Sequence, residues 1–167
     1  MSTRAFRTAP TSGVTFYPRV FGARGVVAAE HYFAADAGRD ILRQGGNAVD
    51  AAVAATLVEG VVNQQMHSIG GELPILVGTP EGEVVCINGN TMAPGAATPE
   101  RYRELGHDSI PPEGVLAAGV PGALGAMVVA LMRFGSLPFA AVAARAMELA
   151  RDGFPAHSGL LRQHKFG

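Results

Sequence analysis

The stretch from Ala48 to Val61 constrains this chain more than any other. Apart from Asp50, Thr56, Glu59 and Gly60 it is entirely apolar and rich in alanine. A helix that is apolar nearly all round cannot sit on a surface; it has to be sandwiched between other elements. Its small side chains let those neighbours come close. Asn47 is placed to cap it, with Asp50 in the first turn against the positive end of the helix dipole. Gly45 and Gly46 close the preceding segment, since glycine tolerates the left-handed backbone that ends helices. That segment, from Tyr32 to Gln44, repeats Phe33, Ala37 and Ile41 along one face. Asp36, Arg39, Asp40 and Arg43 fall on others, where Asp36 and Asp40 are expected to be solvated.

On either side the pattern changes. Val26 to Ala29 reads as a short apolar strand ahead of the first helix. After the second come a polar, glycine-ended loop, Asn63 to Gly71, and two β-type runs, Leu73 to Gly78 and Glu83 to Asn88. Thr79-Pro80-Glu81-Gly82 joins these runs with proline second and glycine fourth, as a type I turn wants, so a hairpin is expected. Thr98-Pro99-Glu100 starts a further helix, and helical signals cover Pro121 to Phe134 and Pro138 to Arg151, closed by Gly135 and Gly153. The order is strand, two helices, hairpin, three helices. It predicts an α+β fold with helices packed on an antiparallel sheet. At 167 residues one compact domain is expected, with residues 1–24 as an irregular arm and 25–167 as the folded unit.

Composition narrows what such a fold could do. Apolar residues make up 48% and charged residues 16%, so the chain is far from disorder, and part of its apolar surface suits a partner segment. A net charge of -1 with dispersed arginines excludes a nucleic-acid footprint. No run has the length of a membrane span or a signal peptide, which predicts a cytoplasmic protein without a membrane partner. The single cysteine, Cys86, lies in an apolar run and reads as a buried structural thiol. His31, His67, His107, His157 and His164 show no metal-ligand spacing, so no metal site is expected. His67, in the loop before two glycines, reads as a surface or packing residue. Asp50 reads as a helix-start residue rather than a catalytic acid. Neither Gly70-Gly71 nor the Gly119 to Gly125 stretch has the ending or context of a nucleotide-binding loop, and no cofactor is expected. No Ser, Thr or Cys stands in a nucleophile elbow. These patterns alone stop at a soluble α+β domain.

A resemblance goes further. The run Gly45-Gly46-Asn47-Ala48-Val49-Asp50-Ala51-Ala52-Val53-Ala54-Ala55 resembles the signature opening gamma-glutamyltransferase-family proenzymes. Gly25-Val26-Val27-Ala28, Ala37-Gly38 and Ile41-Leu42 before it are similar to the family's first strand and helix. Ile69-Gly70-Gly71, Met92-Ala93-Pro94 with Ala96-Ala97-Thr98, Gly119-Val120-Pro121-Gly122, Phe134-Gly135-Ser136-Leu137-Pro138 and Ala150-Arg151-Asp152-Gly153-Phe154-Pro155 follow in the family's order. The resemblance implies an αββα N-terminal-nucleophile hydrolase sandwich, present here in part, with residues 25–167 as the front of the large subunit. It also implies a small-molecule amide or gamma-glutamyl-type substrate. The nucleophile would be a Thr at the start of a partner small subunit released by self-cleavage, so no catalytic residue is expected in this chain.

One departure concerns the substrate. In the family's gamma-glutamyl enzymes an Arg three residues before the Ala-Pro pair grips the substrate carboxylate; here that position is Asn90. Asn donates hydrogen bonds without charge, so forked carboxylate capture is lost and a different acyl or amide substrate is expected. The plain alternative is that Asn90 only ends a strand. An inactive relative, serving as a structural or binding domain, is the competing function.

Overall fold

The structure is a computed structural model that describes residues 20–163. Its elements are α1 (Tyr32–Arg43), α2 (Ala48–Val62), β1 (Ile75–Gly78), β2 (Val84–Ile87), α3 (Pro99–Glu104), α4 (Ala123–Phe134), α5 (Phe139–Asp152) and α6 (Ser158–Gln163), with a 3-10 turn at Val115–Ala117. It is a mixed helix-and-hairpin fold, the α+β class expected. Most of the expected arm, residues 1–19, lies outside the described residues.

The helix boundaries follow local chemistry. Gly45 takes a positive φ of 93° directly after α1. The Asn47 side chain then accepts from the amides of Val49 and Asp50, while Asp50 reaches back to the Asn47 amide, a reciprocal capping box. Thr98 caps α3 through its hydroxyl, with Pro99 in the first turn.

Helix α2 is the centre of the packing. It lies against α1, α5 and α4, and β2 lies against α4. Ala34, Val58 and Met127 are fully enclosed, and Val142 and Leu149 are nearly so. Helices α1 and α2 meet closely at Gly38, where a Cβ would stand 3.0 Å from the Ala51 carbonyl oxygen. The expected enclosure of α2 therefore holds on the sides facing other helices. Its remaining face is bare: Ala48 and Ala52 are exposed and Thr56 half-buried.

The hairpin is antiparallel, pairing Ile75 with Ile87 and Gly78 with Val84. Its turn is the expected one, closed by the Gly82 amide donating to the Thr79 carbonyl at 3.0 Å. Val77 and Ile87 face the core, whereas Leu76, Val84 and Cys86 face away and are exposed. The reading of Cys86 as buried is thus corrected: alternation puts it on the outer face, and no described element covers that face.

The strand expected at Val26 to Ala29 is also absent. The segment packs Val27 against Gly38 of α1, but no ladder bond joins it to another described residue, and a strand exists only by pairing. Helix α4 starts at Ala123 rather than Pro121, because Pro121 and Gly122 belong to a chain crossing. Helix α6 has too short a pattern to be read from periodicity.

Candidate functional site

Three glycine-bearing segments, far apart in sequence, meet at one crossing beside Asn90. The Leu73 amide donates to the Gly89 carbonyl at 2.9 Å, joining the loop after Gly71 to the end of the hairpin. Met92 and Val120 form an isolated antiparallel bridge, with N–H···O distances of 3.2 and 2.7 Å. The amides of Gly122 and Ala123, at the start of α4, both donate to the Gly71 carbonyl, at 3.2 and 3.1 Å.

Glycine is required there by space. A Cβ on Gly122 would overlap the carbonyl oxygens of Gly89 and Asn90, and one on Gly89 would strike the Leu73 carbonyl and the Ala126 methyl. One on Gly119 would come within 2.9 Å of the Thr91 Cβ. Backbone therefore packs directly on backbone, and the segment carrying Asn90 is held from beneath.

Asn90 itself is exposed, three residues beyond the end of β2. Its amide donates to Asn88 Oδ1 at 3.1 Å, an Asx-type turn that bends the chain out of the strand. The side-chain amide offers hydrogen-bond donors and an acceptor but no charge. Arg101 and Arg103, ten or so residues on, pair with Glu104 and Glu100 along α3, at 3.2 and 3.6 Å.

A second junction makes the site's foundation rigid. Asp50 is fully buried at the start of α2. Its carboxylate accepts from Asn47 N at 2.8 Å, Ser136 Oγ at 2.6 Å, Ser136 N at 3.0 Å and Leu137 N at 3.3 Å. Asn47 Nδ2 donates to the Phe134 carbonyl at 2.6 Å. Burial on its own would raise the carboxyl's pKa, but the donors from Ser136, Asn47 and Leu137 outweigh it and hold the group below its ordinary value. Gly135 makes room, since a Cβ there would stand 2.8 Å from Asp50 Oδ1. The helix-start reading of Asp50 captured the Asn47 half of this junction and missed the Ser136 half. A signal existed: a carboxylate inside an enclosed helix demands several donors.

A cleft of about 780 Å³ lies elsewhere. It runs between the segment Gly25 to Glu30 and the bare face of α2, and Asn90 does not line it. At one end stand Glu59, Asn63 and His67. Glu59 Oε1 accepts from the His31 amide at 2.8 Å, while Glu59 Oε2 and His67 Nε2 are buried without a partner. His67 is half-buried and packs near Gly60, in keeping with a packing role. Among the described residues no helix is long and apolar enough to cross a membrane.

Comparison with known proteins gives a consistent set of relatives. The family model described as Gamma-glutamyltranspeptidase matches residues 34–165. The chain is 35% identical over 151 residues to the "Glutathione hydrolase proenzyme" of Escherichia coli (strain K12), covering 87% of this chain and 25% of that protein. It is 40% identical over 142 residues to the "Acylase ACY 1 proenzyme" of Pseudomonas sp. (strain SE83), covering 80% of this chain and 25% of that protein. The crystal structure of Helicobacter pylori gamma-glutamyltranspeptidase matches with a TM-score of 0.81 and 29% identity, over 87% of this chain and 43% of that one. The chain thus spans 25% of the length of each of these two curated relatives.

Proposed function

The chain belongs to the gamma-glutamyltranspeptidase family, and from that premise we propose that it forms the scaffold side of an amide-cleaving, acyl-transfer site. In this reading the nucleophile is the N-terminal Thr of a catalytic small subunit. The Thr hydroxyl attacks the substrate's amide carbonyl while the same residue's α-amine takes up the hydroxyl proton. The C–N bond breaks, the departing amine leaves with that proton, and an acyl ester remains on the Thr. Water or a second amine then attacks the ester, giving hydrolysis or transfer. The word "proenzyme" in the names of both curated relatives supports processing of this kind. So do the uncovered faces of the hairpin and of α2, which suit further layers of the same sandwich.

The observation that carries the substrate reading is Asn90. The resemblance calls for an arginine there, and the chain instead presents an exposed, uncharged amide on a backbone fixed by the glycine crossing. A carboxylate-bearing gamma-glutamyl group would find no forked cation at that position. We assign the site to an acyl donor without that carboxylate. That one relative is named an acylase supports this choice.

The test compares anilides of gamma-glutamate with anilides of simple acyl groups in the complete enzyme. The simple acyl substrates are expected to have the higher kcat/KM. Asn90→Arg is expected to raise turnover of the gamma-glutamyl substrate by about tenfold, the worth of one charge-assisted hydrogen bond. A gamma-glutamyl preference that survives Asn90→Ala defeats the substrate assignment. A mass spectrum showing only this chain in an active preparation defeats the two-subunit reading.

A further inference from the structure

Two histidines that play no part in the proposed chemistry meet where the end of the described chain returns to α1 and α2. His31 is buried, with 7% exposure, and stands at the start of α1. Its Nδ1 accepts from the Phe33 amide at 3.2 Å, capping the helix. His157 stands at the start of α6. Its Nε2 lies 3.1 Å from the Val62 carbonyl oxygen, which can only accept, so that nitrogen carries the proton. Its Nδ1 faces the Leu160 amide at 3.4 Å, a loose cap. The two rings lie 5.2 Å apart, centroid to centroid. Both rings thus use Nδ1 as a helix-cap acceptor.

We propose that His31 works a proton-operated latch: while its ring is neutral, His157 packs against it and holds α6 at the end of α2, and a proton on His31 frees α6. A second proton on the His31 ring must go to Nδ1, the atom that faces the Phe33 amide. The cap is then lost, and a cation is set at the positive end of a helix. The cation would also stand buried, 5.2 Å from the His157 ring, until α6 moves away. Among the described residues, Leu160 is the buried anchor of α6.

The surrounding charges set the direction. From α2, Glu59 accepts the His31 amide and favours a charged ring. From α5, Arg145 lies over the Phe33 ring at 5.7 Å and pairs with Glu148 at 2.7 Å. Tyr32 and Phe33 stack on His31, at 4.6 and 5.5 Å. His67 is the titratable group of the loop after α2. Burial first, and His157 second, lower the pKa of His31 against the opposing pull of Glu59. A histidine held neutral in the closed form stabilises it fully above the ordinary value of 6.5, and that support drains away as pH falls below it.

Hydrogen exchange on the full chain, read by mass spectrometry and corrected for intrinsic rates, tests the latch. Between about pH 7.5 and about pH 5.5, the latter one unit below the ordinary histidine value, peptides spanning Ser158 to Gln163 are expected to lose up to about tenfold in protection, while α5 peptides keep theirs. His31→Asn and His157→Asn each keep a capping oxygen that does not titrate. Loss of the pH response in His31→Asn supports the latch. Unchanged wild-type protection across that range overturns it. So does α5 opening together with α6, or a full pH response in His31→Asn. The wild-type measurement decides by itself if a variant does not fold.

Discussion

Around α2, Ala34, Val58, Val62 and Met127 are completely enclosed, while on the outer face of the hairpin Leu76 and Val84 stand 72% and 71% exposed. Both regions are rich in small and apolar residues, yet they are put together differently. The helical region closes on itself: α1, α4 and α5 pack on α2, and Asp50 ties the start of α2 to the link between α4 and α5. The hairpin region is closed on one side only. Its order comes from backbone contacts at Gly89, Gly119 and Gly122 together with the inward side chains of Val77 and Ile87. The contrast separates two kinds of sensitivity. Changes in the first region should cost stability, and changes in the second should move Asn90 while costing the fold less.

The sharpest way to break that contrast is at Asp50. Asp50→Ala removes the acceptor for Asn47 N, Ser136 N, Ser136 Oγ and Leu137 N together. Unsatisfied buried donors cost about 1–3 kcal/mol each, and water can reach some of them, so a loss of about 3 kcal/mol is expected in urea unfolding. A loss below about 1 kcal/mol would mean the junction is ornamental and the helical region is held by apolar packing alone.

The same carboxylate gives a smaller, pH-dependent effect. Its pKa is held below the ordinary 3.8, so its contribution is complete above that value and is lost as pH falls through the lowered one. The wild type should lose stability on acidification in that range more steeply than Asp50→Asn, which has no charge to lose. Unfolding midpoints measured from neutral pH down to about pH 3 check this; parallel curves for the two proteins would contradict it.

The glycine crossing is probed by two substitutions close together at the start of α4. Gly122→Ala forces a methyl into the Gly89 and Asn90 carbonyls, whereas Gly125→Ala meets nothing within 4 Å. The first is expected to destabilise by about 1–3 kcal/mol and to displace the Asn90 segment. The second should stabilise by about 0.5–1 kcal/mol, because alanine favours a helix interior over glycine. Thermal melts of the two variants decide it, and equal shifts in one direction would refute the crowding argument.

What was legible in the sequence divides along the same line. Gly45, Asn47, Thr98 and Gly153 marked helix ends correctly because caps and left-handed turns depend on residues only a few positions apart. The enclosure of α2 was legible for a similar reason: its own composition demanded it. The bond from Ser136 to Asp50 spans 86 residues, and no local rule reaches that far. Cys86 was misjudged because a strand's pattern shows that two faces exist but not which of them another layer covers. Val26 to Ala29 was misjudged because a short apolar run does not say whether anything pairs with it, and no described residue does. At the site, Asn90 was visible only through a resemblance, and the crossing that fixes it was hidden in glycines whose neighbours are remote in sequence.

The smallest effect is expected at Leu76, and it sharpens the comparison most. Leu76→Thr sits on the outer face, opposite Cys86, and threonine suits a strand. In this chain by itself the change should move stability by no more than about 0.5 kcal/mol, as exposed substitutions do. If, as the proposed function has it, a partner subunit adds further layers over that face, the same change removes a buried leucine and costs about 1.5–3 kcal/mol. Measuring Leu76→Thr in both settings therefore reads out the covering directly. Equal small effects would show that the hairpin's outer face meets solvent in the finished protein, and that the one-sidedness of this region belongs to the fold itself.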